Sequence, residues 1–560
     1  MTITLGDAIV RCLMAEGVQF AFGIASGKLG PLFSALSRQP AIRFIGTRHE
    51  AAAAHMAAGI YAGTGRIAVA LGEMGPGGGN LTSGIAAAHA DNLPMLAITS
   101  CSASHLRPSS GMLMELDLVR LFQPVTRFSK SLDDPADLPN LLQEAFRAAF
   151  GPRPGPVHVS IPFDMLGLPV EWDDSRFSAP SAYRETTRRQ PTLAQATQAA
   201  QMLRDAQRPL LIAGGGVVAS EAADTFVALA ENLGAPATAT QMGIGAVPTG
   251  HPAHIGHGGI IGGPAVNRAL SEADVILAVG CRFSSWLWHG NAPGFAPGSR
   301  LIHVDTDPGQ IDRVTPASLG IVADAGAALK AIADVLPPVP VPAVTAWREG
   351  LRAEHARYLA GIDSGSPLWN ADGIHPAHLS RALADLLPAN ALVVYDGAHT
   401  SFWSNDILPA PAPRTRFHEP GMGQLGFGTP YALALKAAFP DSPVINVCGD
   451  GSFGFTAMEM DSARRNNLPV IVVIHNNEAW GVIRAGQAHS GFEFATDLSG
   501  TDYAALARGL GCHGEVVETL EAFAPAFARA LVSGLPAVLD CRTSYVPHPS
   551  MHRFAAMGRG

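Results

Sequence analysis

The 560 residues of the chain exceed what one hydrophobic core organises, so three domains are the natural expectation. Hydrophobic residues make up 47% of the sequence and charged residues only 15%, which argues against a disordered chain and indicates a compact protein with many turns. The formal net charge of -9, without a dense Lys/Arg cluster, argues against nucleic-acid binding.

Cysteine spacing and hydropathy indicate the compartment. The six cysteines form no C-x-x-C pair, so neither a zinc site nor a disulfide framework is predicted, and a reducing compartment is expected. The first residues carry charges too early for a signal peptide and are typical of an amphipathic helix. No apolar run approaches about 18 residues, the length that would cross a membrane. We therefore expect a cytoplasmic protein with no membrane partner.

Short apolar runs with strand character alternate with helical stretches along the whole chain, as in parallel α/β sheets covered by helices on both faces. In chain order, the clearest runs are RIAVALGEMG, LPMLAITSC, RPLLIAGGG, DVILAVGCRF, RLIHVDTD, SPVINVCGD and LPVIVVIHNN. A polar stretch at 169–190 and a proline-rich stretch at 336–344 are typical of linkers. They divide the chain into three predicted α/β domains, each a doubly wound, largely parallel sheet, at 1–168, 190–336 and 370–548.

The strongest motif lies in the last predicted domain, where Gly449-Asp450-Gly451-Ser452 comes between a strand and a helix. Glycines let the backbone turn tightly near a ligand, and a helix N-terminus offers free N–H groups to a phosphate. About 25 residues later, Asn477 ends the next strand. Mg²⁺ on a diphosphate needs few protein ligands, and these two motifs supply a carboxylate and an amide oxygen. Either motif alone is an ordinary turn or loop, but both together at strand ends predict a metal–diphosphate site.

This pair of motifs, GDGS followed by NN, is similar to the diphosphate–Mg²⁺ motif of thiamin diphosphate enzymes. Residues 3–545 resemble the acetolactate synthase-like group of decarboxylases and carboligases. The resemblance implies a pyrimidine-binding domain, a central Rossmann-like domain with a six-stranded parallel sheet, and a diphosphate-binding domain, in that order. It implies that Asp450, the Asn477 side chain and the Ala479 carbonyl hold Mg²⁺. The positions implied to contact the diphosphate are Gly451, Ser452, His399 and Thr400.

A second family segment, RHEAAAAHMAAGIYAGTG, begins an alanine-rich helix after a strand end. On sequence alone, Glu50 is an acidic residue entering a helix, where the macrodipole favours it. The resemblance implies instead that Glu50 shares a proton with N1′ of the aminopyrimidine, so that the cofactor rather than a side chain becomes the nucleophile. Because Glu50 and Asp450 lie in different domains, the family arrangement implies a cofactor between two subunits. A homodimer is then the minimum, and a homotetramer is common in the group.

A third segment, PGMGQLGFGTP, resembles the family segment that bends the cofactor into a V. Leu425 would be the apolar wedge between the two rings, with core packing as its other reading. The carbonyl of Gly423 would accept a hydrogen bond from the 4′-amino group.

The predicted substrate positions depart from the family pattern. Glu73 stands where the carboligases usually carry a small hydroxylated residue, and Lys28 lies in the loop after the first strand. Three interpretations of these two charges stay open: they form an ion pair, they transfer protons and bind a carboxylate during turnover, or they are solvated loop residues. Trp480 is similar to a feature of aromatic acyloin lyases such as benzaldehyde lyase. The predicted substrate contacts are Lys28, Glu73, Leu113, Met114, Trp480 and Val482.

Two segments of the predicted central domain bear on whether the chain binds FAD. A glycine triplet at 214–216 and the segment VDTDP resemble the FAD-binding middle domain of acetolactate synthases, but relatives without flavin keep the triplet too. The segment CRFSSWLW replaces the usual Arg-Phe-Asp-Asp-Arg. The sequence therefore favours a chain without FAD over one that binds it. Trp286 and Trp288 are candidates to cover the pocket, and the C-terminal tail is a candidate lid.

The resemblance implies an enzyme that binds a small carbonyl substrate, a 2-keto acid, and removes CO₂. It then releases an aldehyde or transfers the acyl unit to a second carbonyl. The alternative within catalysis is an aldehyde or acyloin lyase-ligase of the benzaldehyde lyase type, favoured by Trp480 and Met114. Acetolactate synthases also carry an acceptor-selecting tryptophan where Gly486 falls. A catalytically silent regulatory homologue would need to lack a motif residue, and all of them are present.

Overall fold

The computed structural model describes residues 2–106, 111–259, 261–284, 286–287, 294–337, 341–362 and 373–551. It contains three six-stranded sheets, and the strand pairs within them are parallel. The predicted three-domain α/β fold is therefore confirmed. The predicted domain boundaries lie outside these three sheets. Trp288 and the tail beyond residue 551 lie outside the described residues.

The N-terminal sheet has the strand order β3-β2-β4-β5-β7-β6. Its strands are β2 (Phe20–Gly23), β3 (Arg43–Gly46), β4 (Val69–Gly72), β5 (Leu96–Cys101), β6 (Phe128–Ser131) and β7 (Val157–Pro162). A separate antiparallel pair is formed by β1 (Thr2–Thr4) and β8 (Pro169–Glu171). The helices are α1 (Leu5–Ala15), α2 (Gly30–Ser37), α3 (Glu50–Thr64), α4 (Met74–Asp91), α5 (Leu118–Phe122) and α6 (Leu138–Ala149).

The central sheet has the strand order β11-β10-β9-β12-β13-β14. Its strands are β9 (Pro209–Ala213), β10 (Ala237–Ala239), β11 (His254–His257), β12 (Val275–Val279), β13 (Arg300–Asp305) and β14 (Leu319–Val322). The helices are α7 (Leu193–Arg204), α8 (Gly215–Ala219), α9 (Ala223–Leu233), α10 (Pro264–Glu272), α11 (Ala325–Val335) and α12 (Pro342–Gly361).

The C-terminal sheet has the strand order β16-β15-β17-β18-β20-β19. Its strands are β15 (Leu392–Asp396), β16 (Arg416–Phe417), β17 (Val444–Gly449), β18 (Ile471–Asn476), β19 (His513–Val517) and β20 (Ala537–Arg542). The helices are α13 (Pro376–Leu386), α14 (Ala398–Ile407), α15 (Gly428–Ala438), α16 (Asp450–Thr456), α17 (Glu459–Arg465), α18 (Gly481–His489), α19 (Tyr503–Gly509) and α20 (Leu520–Val532).

Local sequence explains where these elements begin and why their edges carry the chemistry. Helix α1 starts at a capping box, in which Oγ1 of Thr4 accepts from the N–H of Asp7 and the Asp7 carboxylate accepts from the N–H of Thr4. Strands β9 and β12 are buried along their whole length, as expected of strands with helices on both faces. Polar side chains that meet a ligand must therefore come after the strands, at the carboxyl edge of each sheet.

Helices α3 and α15 pack together and join the first and last domains of the chain. Small residues allow the close approach. A Cβ on Gly63 would lie 2.5 Å from Cδ2 of Leu435, and a Cβ on Gly59 would lie 3.2 Å from Cγ of Tyr431. Among the described helices, none is both long and apolar enough to span a bilayer.

Candidate active site

Four predicted cofactor segments lie along one edge of the C-terminal sheet. The strands β16, β15, β17 and β18 are neighbours in that order. Gly423 and Leu425 follow β16, His399 and Thr400 follow β15, the GDGS motif follows β17, and Asn477 follows β18. Because neighbouring parallel strands end at the same edge, the fold gathers these four segments.

Asp450 is the first residue of α16, and its side chain is a candidate metal ligand. The residue is 3% exposed, and its Oδ2 atom has no hydrogen-bond partner among the described residues. Burial raises the pKa of the carboxyl to about 6, although nearby backbone N–H groups favour the charged form. A buried carboxylate oxygen without a partner is costly unless a cation or a proton meets it. Asp450 therefore fits a divalent cation.

The two asparagines after β18 have different surroundings. Asn476 is buried, and its Nδ2 donates to Oδ1 of Asp540 at 2.8 Å. Asn477 is half-buried, and its Oδ1 accepts from the N–H of Ala479 at 3.1 Å. Asn477 is thus the asparagine that a ligand can reach, and it lies beside the residue whose carbonyl is the third predicted metal ligand.

The donor set is small. In the chain as described, no three His, Cys, Asp or Glu side chains group in a way that could hold a metal ion. Mg²⁺ on a diphosphate completes its octahedron with diphosphate oxygens and water, so one carboxylate, one amide and one carbonyl suffice. The residues present therefore fit a Mg²⁺–diphosphate complex.

Trp480 lies against the GDGS turn. A Cβ on Gly451 would be 2.6 Å from Cζ3 of Trp480, so the ring covers this glycine closely. The rings of Trp480 and Phe455 meet edge to face, with centroids 6.2 Å apart. Val482, in the first turn of α18, packs against the apolar cluster that contains Phe402. Trp480 and Val482, both predicted to contact the substrate, therefore also make packing contacts within the protein.

The loops after β15 and β17 meet at their glycines. Gly397 has a φ of +88°, and a Cβ there would lie 2.5 Å from Oγ of Ser452. A Cβ on Gly449 would lie 3.4 Å from Oγ1 of Thr400. Both hydroxyl groups predicted to contact the diphosphate therefore lie at one junction, and Gly397 is the position there that leaves no space for a side chain.

His399 faces the C-terminal segment of the chain. Its imidazole is buried, burial lowers its pKa to about 4, and Nε2 lies 2.6 Å from the carbonyl oxygen of Val546. A neutral ring beside a carbonyl must carry its hydrogen on Nε2 and donate it to that oxygen. In this neutral form Nδ1 carries no hydrogen, so His399 donates to a diphosphate only after it takes up a second proton or releases Val546. The indole of Trp403 donates to the same carbonyl at 3.3 Å.

Asp396, at the end of β15, is a site residue that sequence reasoning missed. Its carboxylate accepts from the N–H of Gly426 at 3.1 Å and from the N–H of Gly428 at 2.9 Å, and burial raises its pKa to about 6. Oγ1 of Thr456 donates to the carbonyl of Gly426 at 2.7 Å. These contacts fix the backbone just after Leu425. An acidic residue at a strand end before a glycine is the signal that could have found it.

The N-terminal sheet has a corresponding edge. Its strands β3, β2, β4 and β5 are neighbours in that order. Glu50 follows β3, Lys28 follows β2, Glu73 follows β4, and both Leu113 and Met114 follow β5. The sheet therefore brings the predicted catalytic carboxylate to the same edge as four of the six predicted substrate contacts.

Glu50 is half-buried at the start of α3. Its Oε2 accepts from Nδ2 of Asn80 at 2.9 Å, and a Cβ on Gly77 would lie 3.3 Å from its Oε1. Asn80 is a second residue that sequence reasoning left without a role. The amide orients the carboxyl, because it binds one oxygen and leaves the other free to face a ligand.

Lys28 and Glu73 meet through the backbone. The N–H of Lys28 donates to Oε1 of Glu73 at 3.2 Å, and Nζ of Lys28 lies 3.3 Å from Sδ of Met114. Within the described ranges, no carboxylate lies at ion-pair distance from this ammonium. Leu113 is 80% exposed on the same loop. The edge thus presents a cation and an apolar surface side by side.

Helix α4 contacts residues at both edges within one chain. Asn80, which binds Glu50, and Asp91, which binds the N–H of Gly421 at 2.9 Å, are both on α4. Eleven helical residues separate them, which is about 16 Å along the axis. The contacts of α4 with Glu50 and with Gly421 are therefore about 16 Å apart along this helix.

A cavity of about 300 Å³ lies where the three domains meet. Its wall includes Asp91, Gly215, Arg282, Trp286, Asp305 and Gly421. The glycine triplet has a packing reason of its own. A Cβ on Gly214 would overlap the carbonyl of Gly280, and a Cβ on Gly216 would lie 2.7 Å from the Cα of the same residue.

These features fit a class of three-domain α/β enzymes that use a cofactor with a diphosphate group. Residues 3–121, 196–332 and 396–541 match, in order, the N-terminal TPP binding domain, the central domain and the C-terminal TPP binding domain of thiamine pyrophosphate enzymes. The chain belongs to this family of enzymes, whose cofactor is also called thiamin diphosphate, and the resemblance read from the sequence is confirmed.

The chain is similar over nearly its whole length to acetolactate synthases. It is 30% identical to a probable acetolactate synthase large subunit of Methanocaldococcus jannaschii, over 95% of this chain and 91% of that protein. It is 31% identical to the acetolactate synthase large subunit of Corynebacterium glutamicum, over 96% and 86%. The acetolactate synthase isozyme 3 large subunit of Escherichia coli is 31% identical over 86% of this chain and 83% of its own length.

Proposed function

We propose that the chain catalyses the thiamin diphosphate- and Mg²⁺-dependent decarboxylation of a 2-keto acid and transfers the acyl unit to a second carbonyl, as an acetolactate synthase-like enzyme. The observation that carries this proposal is the similarity to acetolactate synthases over nearly the whole chain. The presence of Glu50, Asp450 and Asn477 argues against a catalytically silent homologue, because each retains the chemistry that the cofactor requires.

Each proposed role follows from the chemistry of the side chain. Bound thiamin diphosphate supplies a carbanion at its thiazolium ring, which no amino-acid side chain provides. Glu50, oriented by Asn80, holds a proton at N1′ of the aminopyrimidine. The carbonyl of Gly423 accepts from the 4′-amino group, and Leu425 separates the two rings. The metal ligands are Asp450, Asn477 and the Ala479 carbonyl.

Diphosphate contacts are proposed at the junction where the loops after β15 and β17 meet. The contact residues are Gly451, Ser452, Thr400 and His399. A backbone turn at the start of α16 presents N–H groups to anionic oxygens, and the hydroxyls at the junction add donors.

A homodimer is proposed as the smallest active oligomer. The proposed complete assembly is a homotetramer, which is common in the family. Two observations support a second subunit. In one chain, α4 contacts Glu50 and Gly421 at points about 16 Å apart along its axis, and a partner subunit is proposed to complete the cofactor site. Large apolar side chains also remain exposed near both edges, and buried contact with a second copy would cover them. They are Leu113, Leu116, Met422, Phe455, Ile483, Phe492 and Phe494.

The substrate carboxylate is proposed to meet Lys28. Its ammonium has no carboxylate partner in the described ranges and stands beside Met114, where a small keto acid would place its charge. Glu73 fixes the loop through the N–H of Lys28. The apolar face formed by Leu113 and Met114 then suits the acyl group.

FAD is left out of the proposed cofactors. The cavity between the domains has room for a ligand, but its glycine triplet is accounted for by contact with Gly280. Trp286 stands in the segment that replaces the charged family sequence. An absorbance spectrum of the purified protein checks this directly, and a flavin band would contradict it.

The acyloin lyase reading is weaker. Its support was Trp480 and Met114, yet the Trp480 ring packs on Gly451. That contact gives the tryptophan a place in the diphosphate turn without any aromatic substrate. A cytoplasmic location is proposed from the six free cysteines, five of them buried, since buried thiols persist in a reducing compartment.

The proposal is tested by ¹H NMR of the products after incubation of the protein with pyruvate, thiamin diphosphate and Mg²⁺. We expect pyruvate consumption that needs both additions, with acetolactate as the product. Bound cofactor without pyruvate consumption would contradict the proposed substrate and favour the acyloin lyase alternative, which benzaldehyde and benzoin would then test.

A further inference from the structure

The segment that carries Gly423 and Leu425 is anchored at its start by residues of two other domains. The indole Nε1 of Trp286, in the central domain, donates to the carbonyl of Pro420 at 2.8 Å. The N–H of Gly421 donates to Oδ1 of Asp91, on α4, at 2.9 Å. Two consecutive residues are thus held from outside the C-terminal domain.

Both anchors are confined by their surroundings. Asp91 is 5% exposed, and a Cβ on Gly421 would lie 2.5 Å from its Oδ1, so the approach requires glycine. The ring of Trp286 meets Phe402 and His418 edge to face, with centroids 6.3 Å and 5.9 Å away. A side chain fixed on this many sides can hold its hydrogen-bond partner in one place.

The other end of the segment is held separately. Asp396 and Thr456 bind the backbone of Gly426. Gly423 and Leu425 lie between these two fixed ends. Their position therefore depends on both sets of contacts.

We propose that Trp286, together with Asp91, is a positioning residue that sets where Gly423 and Leu425 meet the two rings of the cofactor. The inference rests on the proposed function for the role of that segment. The proposed metal ligands follow β17 and β18, whereas the Trp286 bond reaches the segment that follows β16. Loss of the Trp286 bond should therefore lower turnover more than cofactor affinity, because a small displacement of a positioning group is costly in rate.

The test compares Trp286→Phe with a matched variant, Trp347→Phe. Both remove one indole donor from the same part of the chain, since Nε1 of Trp347 donates to Oε2 of Glu272 at 2.9 Å. Neither Trp347 nor Glu272 lines the cavity between the domains. Hydrogen–deuterium exchange of peptides covering 418–427 is measured on the full-length protein without cofactor. Then kcat with pyruvate and KM for thiamin diphosphate are measured on the loaded enzyme.

We expect Trp286→Phe to speed exchange over 418–427 by about threefold to tenfold, as for one lost hydrogen bond. Its kcat should fall about tenfold, with KM for thiamin diphosphate within about twofold of wild type. Trp347→Phe should leave all three values unchanged.

Unchanged exchange over 418–427 in Trp286→Phe would overturn the inference, whatever the activity. Faster exchange with wild-type kcat would also overturn it, because the bond would then serve the fold alone. An inactive wild type would contradict the proposed function alone, since the exchange rates need no activity. Asp91→Asn keeps an acceptor for the N–H of Gly421, so its exchange over 418–427 should match wild type. Asp91→Ala removes the acceptor and should speed exchange over 418–427. Wild-type exchange in Asp91→Ala would count against Asp91 as an anchor.

Discussion

Oε1 of Glu459, in the C-terminal domain, accepts a hydrogen bond at 3.0 Å from the backbone N–H of His49, in the N-terminal domain of the same chain. The same oxygen accepts from the N–H of Arg48 at 3.0 Å. Glu459 is 1% exposed, and burial raises the pKa of its carboxyl, while the two N–H groups favour the charged form. The next residue in the turn is Glu50, so one domain fixes where the other presents its proposed catalytic carboxylate.

Glu459→Ala should therefore lower activity through Glu50. We expect kcat to fall at least about tenfold, because the turn before Glu50 loses its anchor, with cofactor affinity little changed. The control is Asp274→Ala. Asp274 also accepts from two consecutive N–H groups, at 2.8 Å from Gln207 and 2.9 Å from Arg208, in the central domain. If the two variants lost activity and stability to the same extent, Glu459 would have no special relation to Glu50.

Asp450→Ala should weaken Mg²⁺-dependent cofactor binding. Residues that merely support a metal ligand cost about tenfold to 100-fold in metal affinity when changed, so loss of a ligand should cost at least as much. Calorimetric titration of thiamin diphosphate with and without Mg²⁺ measures this. Asn476→Asp is not a suitable control, because Asn476 binds Asp540. Asn477→Ala should instead repeat the effect, and unchanged affinity in both variants would refute the metal assignment.

Asp396 should give the unliganded protein a distinct pH dependence. Burial raises the pKa of this carboxyl from 3.8 to about 6. Between these values the folded chain holds a proton that the unfolded chain has lost, so stability falls as pH rises. Across this pH range, the contribution of Asp396 to the free energy of unfolding falls by about 3 kcal/mol. Asp396→Asn keeps an acceptor without the charge and should lose this contribution. Thermal unfolding between about pH 4 and pH 7 compares the two, and parallel profiles would contradict the prediction.

Lys28→Met should raise KM for pyruvate about tenfold and leave cofactor affinity unchanged, because one charge contact to the substrate is lost. Lys130→Met is the control, since Lys130 pairs with Glu144 at 3.7 Å on the surface of the same domain. A wild-type KM in Lys28→Met would remove Lys28 from the substrate site.

The sequence predicted those parts of the candidate site that lie within one short, contiguous segment of the chain. GDGS, the second asparagine and Glu50 stand in short motifs at strand ends, so their chemistry can be read without the fold. Lys28, Glu73 and Met114 were named, but only the sheet order brings three separate loops together. Asp396, Asn80 and Glu459 were not assigned a role from the sequence, because each acts on a backbone or side chain distant in sequence. Trp286 was placed near the pocket, yet its bond to Pro420 depends on how two domains meet.

Mixing two inactive variants tests the proposed active site between two subunits most directly. Glu50→Gln and Asp450→Ala are each expected to abolish turnover. If every site takes Glu50 from one subunit and Asp450 from the other, mixed dimers contain one intact site. An equal mixture, dissociated and reassembled, should then recover about a quarter of wild-type activity with pyruvate, thiamin diphosphate and Mg²⁺. No recovery in dimers shown to be mixed would contradict a shared site, and undiminished activity of Glu50→Gln alone would contradict the role of Glu50.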